Sequence, residues 1–543
     1  MTRNIKRFSC CVVAVLVTGF FGRAISFAEE FVRNDIPDDQ MGLYVDELAQ
    51  AQKIITELKV NLTGGKPTYN VTSVDNSQQK PWVIEFNISE AAFKTSSEKY
   101  KSDGFAMTIH ETATINRKRR HSAVWVQDPD SAARLILPAG DIPESGEIGS
   151  DLRPLNEFMR KTLMEHNIPG ATLAVSYRGE LIFARGFGYS DVEKLTTMPA
   201  EANMRIASVS KPITAVAVLL LVQDGKLRLD QSALEILAQH PSYAFRTQDA
   251  VKSDSRWPKI SVRHLLNHSA GWDRAKSKDT VFQLVTVTQQ LKLKELAQNN
   301  DILQYQFRQP LDFDPGSQSS YSNVGYCMLG RIIEAISGQT YEEFVSERIL
   351  SAAGMTQTRL GKTRLSDRAS DEVRYYTQKI SQAPAVWELA TQKQGTTYEM
   401  VAPAYGQWDL EVMDSFGGWT STVHDLLLFL DAIDRKKSPL LSEDSHRLML
   451  EAPSFSDRSS PVWYGLGWNV RAIDDTGRQN FWHTGAFAGT SSLLVTRHDG
   501  YRWAIMFNVD RTRNGDRCTD IVDRDLHTIV LKSYSRREKV PKP

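Results

Sequence analysis

Cysteine is scarce in this chain of 543 residues: there are four, and Cys10 and Cys11 fall within the first 28 positions. The other two, Cys327 and Cys518, allow one disulfide at most, so burial of apolar surface has to hold the fold together. Cys327 lies in an apolar helical stretch, where a buried thiol is common. An excess of charge is also missing. Lysine plus arginine equals aspartate plus glutamate at 65 each, which gives no bulk attraction to nucleic acid or to a membrane surface. Beyond the N-terminus no apolar run approaches the roughly 20 residues that span a bilayer. Two familiar hydrolase patterns are absent as well. There is no Gly-x-Ser-x-Gly nucleophile elbow, which argues against an α/β-hydrolase. His264 and His268 are four apart, but no glutamate follows His264 and leucines surround the pair, so a packed helix is expected and no metal site.

What is present is ordinary globular material, 41% apolar and 24% charged, enough for a large core and more than one domain. Arg3, Lys6 and Arg7 precede an uncharged stretch from Phe8 to Gly22, and Ser26-Phe27-Ala28 follows. This pattern predicts a signal peptide over 1–28 with cleavage after Ala28, hence export to a periplasmic or extracellular space with no stable membrane span retained. Asn61, Asn70, Asn87 and Asn267 begin glycosylation sequons, which matter only in a pathway that glycosylates.

Residues 29–142 read as a small α+β domain. Leu48, Ala51, Ile55 and Leu58 mark a helical face, followed by strand-like runs Tyr69–Val74 and Trp82–Phe86. A helix over Ser89–Ser102 and strands at Phe105–Ile109 and Ser122–Val126 repeat that order, which predicts two helix-strand-strand units at a spacing of about 40 residues. Arg117-Lys118-Arg119-Arg120 reads as a solvated hairpin tip rather than a site for an anionic polymer. Residues 143–151 read as a linker. From Leu152 a helix (Leu155–His166) and a hairpin (Ala171–Tyr177, Leu181–Phe187) lead into a largely helical middle. Strands return at Phe481–His483, Ser491–Thr496 and Trp503–Asn508, and an amphipathic helix near Ile521–Leu531 closes the chain. The expected domain, 152–543, is one sheet assembled from both ends with helices inserted between.

The chemistry centres on Ser208-Val209-Ser210-Lys211, which opens the apolar run Ile213–Val222. A serine and a lysine three apart share a helical face, so hydroxyl and amine can exchange a proton. At a helix start the dipole disfavours an ammonium and favours an anion, which assists that transfer. Tyr321-Ser322-Asn323 follows the turn Asp314-Pro315-Gly316 and precedes a helical face of Met328, Leu329, Ile332 and Ile333. A phenol can carry a proton, and a side-chain amide can both donate to and accept from a substrate amide. His483-Thr484-Gly485 lies on a strand, where the N–H of Ala486 can join that of Ser208 as an oxyanion donor. Taken alone, His483 reads more simply as an ordinary strand histidine.

In order and content the three fragments resemble the class C β-lactamase and D-alanyl-D-alanine carboxypeptidase superfamily of penicillin-recognising serine hydrolases, over about Leu152–Leu531. Met204-Arg205-Ile206-Ala207, Val262–His268, Phe313–Gly316, Gly417-Gly418-Trp419 and Tyr464–Trp468 extend the likeness. The resemblance implies a β-lactamase/transpeptidase-like fold, a central antiparallel sheet flanked by helices with an all-helical subdomain, and no cofactor. It implies that Ser208 is acylated, that Lys211 and Tyr321 shuttle its proton, and that Asn323 holds the substrate amide. His483, Thr484, Gly485 and Ala486 would complete the substrate site. Lactamases proper usually carry lysine where this chain has His483, and an imidazole holds a carboxylate less firmly near neutral pH. Relatives often show Thr-Ser-Gly where this chain has Ser269-Ala270-Gly271. A peptidase or esterase acting on a small-molecule or peptide substrate is therefore the expected activity. A true β-lactamase, or a non-enzymatic binder of cell-wall peptide or polymer, is the alternative. Gly104-Phe105 and Ser122–Trp125 resemble, over about one repeat, the units that precede the hydrolase domain in polyglycine hydrolases, which implies a polymer-contacting N-terminal module.

Overall fold

The N-terminal region folds as two copies of one unit. The computed structural model describes residues 30–76, 80–127, 135, 137–138, 140–146, 152–244, 246–378, 382–391, 398–434, 440–457 and 459–534, and the expected signal peptide lies outside them. The first copy comprises β1 (Phe31–Pro37), α1 (Asp38–Gln50), β2 (Lys53–Thr63) and β3 (Lys66–Asp75). The second comprises β4 (Trp82–Ser89), α2 (Glu90–Ser102), β5 (Phe105–Ile115) and β6 (Lys118–Gln127). Each makes an antiparallel sheet with its last strand in the middle, β1-β3-β2 and β4-β6-β5. Helices start at 38 and 90, the next strands at 53 and 105, and the last at 66 and 118, an offset of 52 residues each time. Left-handed backbone recurs at the same offset, at Asp35 and Asn87 and at Gln52 and Gly104. Tyr69 donates to Asp38 at 2.6 Å, and His121 meets Glu90 at 2.7 Å, so the same strand-to-helix tie is made by different chemistry.

The repeat is thus strand-helix-strand-strand at 52 residues, rather than helix-strand-strand at about 40. Ile55 and Leu58 are not on the helix of Leu48 but in β2. A bulge explains the misleading spacing: the register against β3 slips between Ile55 and Glu57, so both apolar residues, three apart, point inward. The basic run does form a hairpin tip, with Asn116 and Arg117 both left-handed, as a two-residue connection requires.

In the second region α3 (Arg153–His166) leads to β7 (Gly170–Tyr177) and β8 (Glu180–Asp191). Next come α4 (Ser210–Gln223), α5 (Asn323–Ser337) and α6 (Val423–Ala432). The chain ends with β9 (Val462–Tyr464), β10 (Asn469–Ala472), β11 (Gln479–Phe487), β12 (Thr490–Thr496), β13 (Tyr501–Phe507) and α7 (Cys518–Tyr534). A nine-stranded antiparallel sheet runs Thr196–Thr197, β8, β7, β13, β12, β11, β10, β9, so early and late strands meet where β7 pairs β13. Glu144 and Ser145, within the expected linker, also pair with β8. Strand alternation builds two cores. Leu173 and Val175 of β7, Leu493 and Val495 of β12, and Trp503 and Ile505 of β13 meet α3 and α7, while Ala174, Leu494 and Ala504 face the helices of the other layer. In that layer α4 is buried from Ser210 to Leu221, as an all-apolar helix must be, and each buried Leu or Val there contributes about 1.5–3 kcal/mol. Cys327 and Cys518 are both buried free thiols. No helix among the described residues is long and apolar enough to cross a membrane.

Candidate active site

Ser208 sits in a tight 3-10 turn, Ala207–Val209, that leads into α4. The approach to it is clamped from two sides. Thr490 and Ser492 of β12 donate to the carbonyls of Arg205 and Ile206, each at 2.7 Å, and Ile206 N–H donates to Trp419 O at 3.0 Å. The buried Arg205 guanidinium reinforces this with bonds to the carbonyls of Ala404, Lys362 and Thr363. Within that clamp Ala207 holds φ at +47°, a conformation that costs a non-glycine residue about 1–3 kcal/mol and presents the next side chain outward. Ser208 is accordingly half-buried while Ala207 and Val209 are buried.

Lys211 lies one turn on and is buried. Its Nζ has three neighbours: Asn323 Oδ1 at 2.7 Å, Phe416 O at 2.8 Å and Ser208 Oγ at 3.1 Å. The two carbonyl oxygens can only accept, so they consume two N–H bonds. A neutral amine has only two, which leaves its lone pair facing the serine hydroxyl. Burial favours that state by driving the Lys211 pKa well below the usual lysine value; Asp279 pulls it up, and Arg274 lowers it further.

Tyr321 completes the triangle, with its ring 4.8 Å from Lys211 Nζ and its phenol near enough to Ser208 for that hydroxyl to oppose part of the pKa rise caused by burial. Burial raises the phenol's pKa, so it stays protonated at neutral pH and the amine is the base of the pair. Behind Tyr321 stands His268, whose ring centroid is 4.3 Å from that of the tyrosine and whose Nδ1 accepts from Ser322 N–H at 3.2 Å. Burial holds His268 neutral.

Asn323 opens α5, and the buried Asp279 organises that opening. Asp279 Oδ2 accepts from Asn323 N–H at 2.6 Å and from Asn323 Nδ2 at 3.0 Å, while Oδ1 takes Val324 N–H at 3.1 Å. The carboxylate therefore sits at the positive end of the helix and fixes the amide with its oxygen toward Lys211. Neither Asp279 nor the Phe416 carbonyl was legible in the sequence. Asp279 lies 44 residues before Asn323 in no recognisable pattern, and a backbone oxygen has no residue type to detect.

His483 is brought to the site, but its ring is occupied. Nδ1 meets the Thr484 carbonyl at 2.7 Å and therefore carries the proton, leaving Nε2 to accept from the Tyr464 hydroxyl at 2.9 Å. Burial pushes its pKa down to about 3. Past Trp482 β11 has no partner on the β10 side among the described residues, and it packs against the Ser208 turn. Gly485 permits the approach: a Cβ there would lie 2.5 Å from Ser492 Oγ and 2.9 Å from Ser208 N, and would also strike Ile206 O. The strand backbone around Ala486 thus reaches the same space as the N–H of Ser208. The residues named from the sequence, Ser208, Lys211, Tyr321, Asn323, His483, Thr484, Gly485 and Ala486, all converge here.

The model of the Beta-lactamase family matches residues 155–526. The chain belongs to the β-lactamase family. Among its relatives, penicillin-binding protein 4* of Bacillus subtilis is 25% identical over 389 residues, 69% of this chain and 75% of that protein. Among solved structures, the octameric penicillin-binding protein homologue from Pyrococcus abyssi aligns with TM-score 0.52 and 21% identity, over 70% of this chain and 78% of that one. D-amino acid amidase from Ochrobactrum anthropi SV3 aligns with TM-score 0.52 and 22% identity, over 71% of this chain and all of that one. This β-lactamase-family chain is a serine hydrolase, and its fold is the one expected from the motifs.

One consequence for this family member concerns Gly485. Gly485→Val is expected to lower kcat/KM by about 10²- to 10³-fold, the effect of losing oxyanion donors, and to lower the melting temperature, because its side chain meets the backbone oxygen of Ile206. Burst kinetics on an activated ester, beside thermal melting, measures both. Wild-type acylation in the variant would show that close approach of β11 to Ser208 is unnecessary.

Proposed function

We propose that this protein is an exported hydrolase that cleaves an amide or ester through an acyl-enzyme on Ser208, with peptidase or esterase activity favoured over β-lactam hydrolysis. The observation that carries the reading is the coordination of Lys211, two carbonyls and one serine hydroxyl around a buried amine. Lys211 accepts the Ser208 proton as the oxygen attacks the carbonyl. Tyr321, protonated and beside the serine and the amine, passes a proton to the leaving group. The N–H groups of Ser208 and Ala486 receive the developing oxyanion, and Asn323 offers its remaining amide hydrogen to the substrate. Water then releases the acyl group by the reverse sequence.

A pure binder has no use for a lysine held neutral against a serine, which favours an enzyme. His483, uncharged and with both nitrogens engaged, offers no fixed cation to a β-lactam carboxylate, which favours other substrates. The N-terminal duplicated unit is a candidate contact for polymer, docked through α1 on Leu284–Gln290 and through Lys99 on the Tyr398 carbonyl. Intact-mass measurement after exposure to esters, D-amino-acid amides, D-amino-acid peptides, oligoglycine and β-lactams tests the reading. An acyl adduct on the Ser208 peptide is expected with at least one ester or amide, and a chain inert to the whole panel would favour the binder.

The pH profile provides a second check. The free amine of Lys211 is the reactive form, so kcat/KM is expected to rise with pH through its lowered pKa and then level. His483, at about 3, adds no limb near neutrality. The acid limb should therefore persist in His483→Gln, and its disappearance there would assign the titration to the imidazole.

A further inference from the structure

Among the described residues the buried Arg205 is committed to carbonyls and Lys211 is a neutral amine, which leaves no buried cation for an anionic substrate, yet two exposed arginines lie near the site. Arg274 places its guanidinium 5.3 Å from the centre of the Tyr321 ring. Arg517 ends the loop that precedes α7 and is held by a bridge to Arg511. Both favour the ionised form of the Tyr321 phenol against burial, Arg274 from over its ring and Arg517 from the side of the turn after β11, where the neighbouring Asp510 takes Gly489 N–H. Neither has a carboxylate partner among the described residues, although acidic groups are close. Asp273 accepts from Ala275 N–H at 3.0 Å and Ser320 Oγ at 3.4 Å, and Asp510 accepts from Gly489 N–H at 3.2 Å.

The turn that carries Arg274 is fixed relative to the catalytic tyrosine. Asp273 bonds Ser320, the residue before Tyr321, and Ser320 N–H donates to His268 O at 2.9 Å. Asp312 takes Asp273 N–H and Ser277 Oγ at 2.8 and 2.7 Å. A charge tethered in this way faces the pocket at small entropic cost. A guanidinium with no carboxylate partner among the described residues presents a planar fork suited to a carboxylate.

We propose that Arg274, together with Arg517, receives a carboxylate of the substrate, so that this enzyme selects acyl donors bearing an anionic group. The inference rests on the acyl-enzyme reading above and adds a substrate class to it. It moves anion recognition from His483, which is neutral, to Arg274 beside the Tyr321 loop, with Arg517 on the side of the turn after β11.

The test uses the full chain and two matched pairs of esters: 4-nitrophenyl glutarate monoester against 4-nitrophenyl butyrate, and 4-carboxyphenyl acetate against 4-carbamoylphenyl acetate. In at least one pair the charged-to-neutral ratio of kcat/KM should fall about 5- to 10-fold in Arg274→Ala, as expected for loss of a charge-assisted contact at a partly exposed site. Arg274→Lys should recover part of the ratio, Arg517→Ala should lower it less, and added salt should shrink it in the wild type. A ratio is insensitive to the amount of folded enzyme. Unchanged ratios in both pairs for both alanine variants would overturn the inference while Ser208 acylation by the neutral esters stood. Absence of Ser208-dependent acylation by any ester would overturn the hydrolase reading and this inference with it.

Discussion

Ser208→Ala is expected to abolish the acyl adduct and to reduce turnover of any ester or amide substrate by roughly 10⁴- to 10⁶-fold, the range seen when an acyl-transfer nucleophile is deleted. The expectation follows from geometry. Lys211 Nζ lies 3.1 Å from the Ser208 hydroxyl, with the Tyr321 ring 4.8 Å from the same amine, so without that hydroxyl the proton relay has nothing to act upon. Stability should change little. Ser208 is half-buried, its hydroxyl anchors no backbone carbonyl, and the turn is held by Thr490, Ser492 and Arg205. Fluorophosphonate labelling read by mass spectrometry, beside a thermal melt, checks both halves. Labelling that survived at another residue would remove the central claim.

Lys211→Met should give the second largest effect, a fall of about 10³- to 10⁴-fold in the acylation rate, since general-base catalysis is worth about 10²–10⁴ and the serine also loses its orienting partner. Here activity and stability should separate. Methionine matches the length of the lysine stem, and the buried amine that it replaces is already neutral, so burial of the sulfur stabilises while Asn323 Oδ1 and Phe416 O lose a donor. Each orphaned acceptor costs about 1–3 kcal/mol, offset in part by the apolar burial, and a net change within about 2 kcal/mol is expected. Denaturant unfolding beside single-turnover kinetics distinguishes this from collapse of the site. Acylation at the wild-type rate would transfer the role of base to Tyr321 or to solvent.

Local pattern carried much of the reading. The apolar run after Lys211 can only be a buried helix, β7, β12 and β13 alternate cleanly, and the three motifs occur in an order that a known superfamily shares. Where local reading failed, a longer-range effect intervened. Ile55 and Leu58 imitate helical spacing because a bulge in β2 against β3 places residues three apart on one face. The 52-residue duplication stayed hidden because Tyr69 with Asp38 and His121 with Glu90 make equivalent ties from unlike residues.

Residue type and order alone establish the reacting groups here, because a serine and a lysine one helical turn apart before an apolar helix share a face in any context. Their protonation states belong to the folded molecule. Burial makes Lys211 a base, with the carbonyls of Asn323 and Phe416 turning its lone pair toward Ser208, and burial holds His483 neutral with its two nitrogens on the Thr484 carbonyl and the Tyr464 hydroxyl. Asp279 acts on Asn323 across 44 residues. A side chain's charge is set by the dielectric and partners around it, and those are assembled only when distant segments pack.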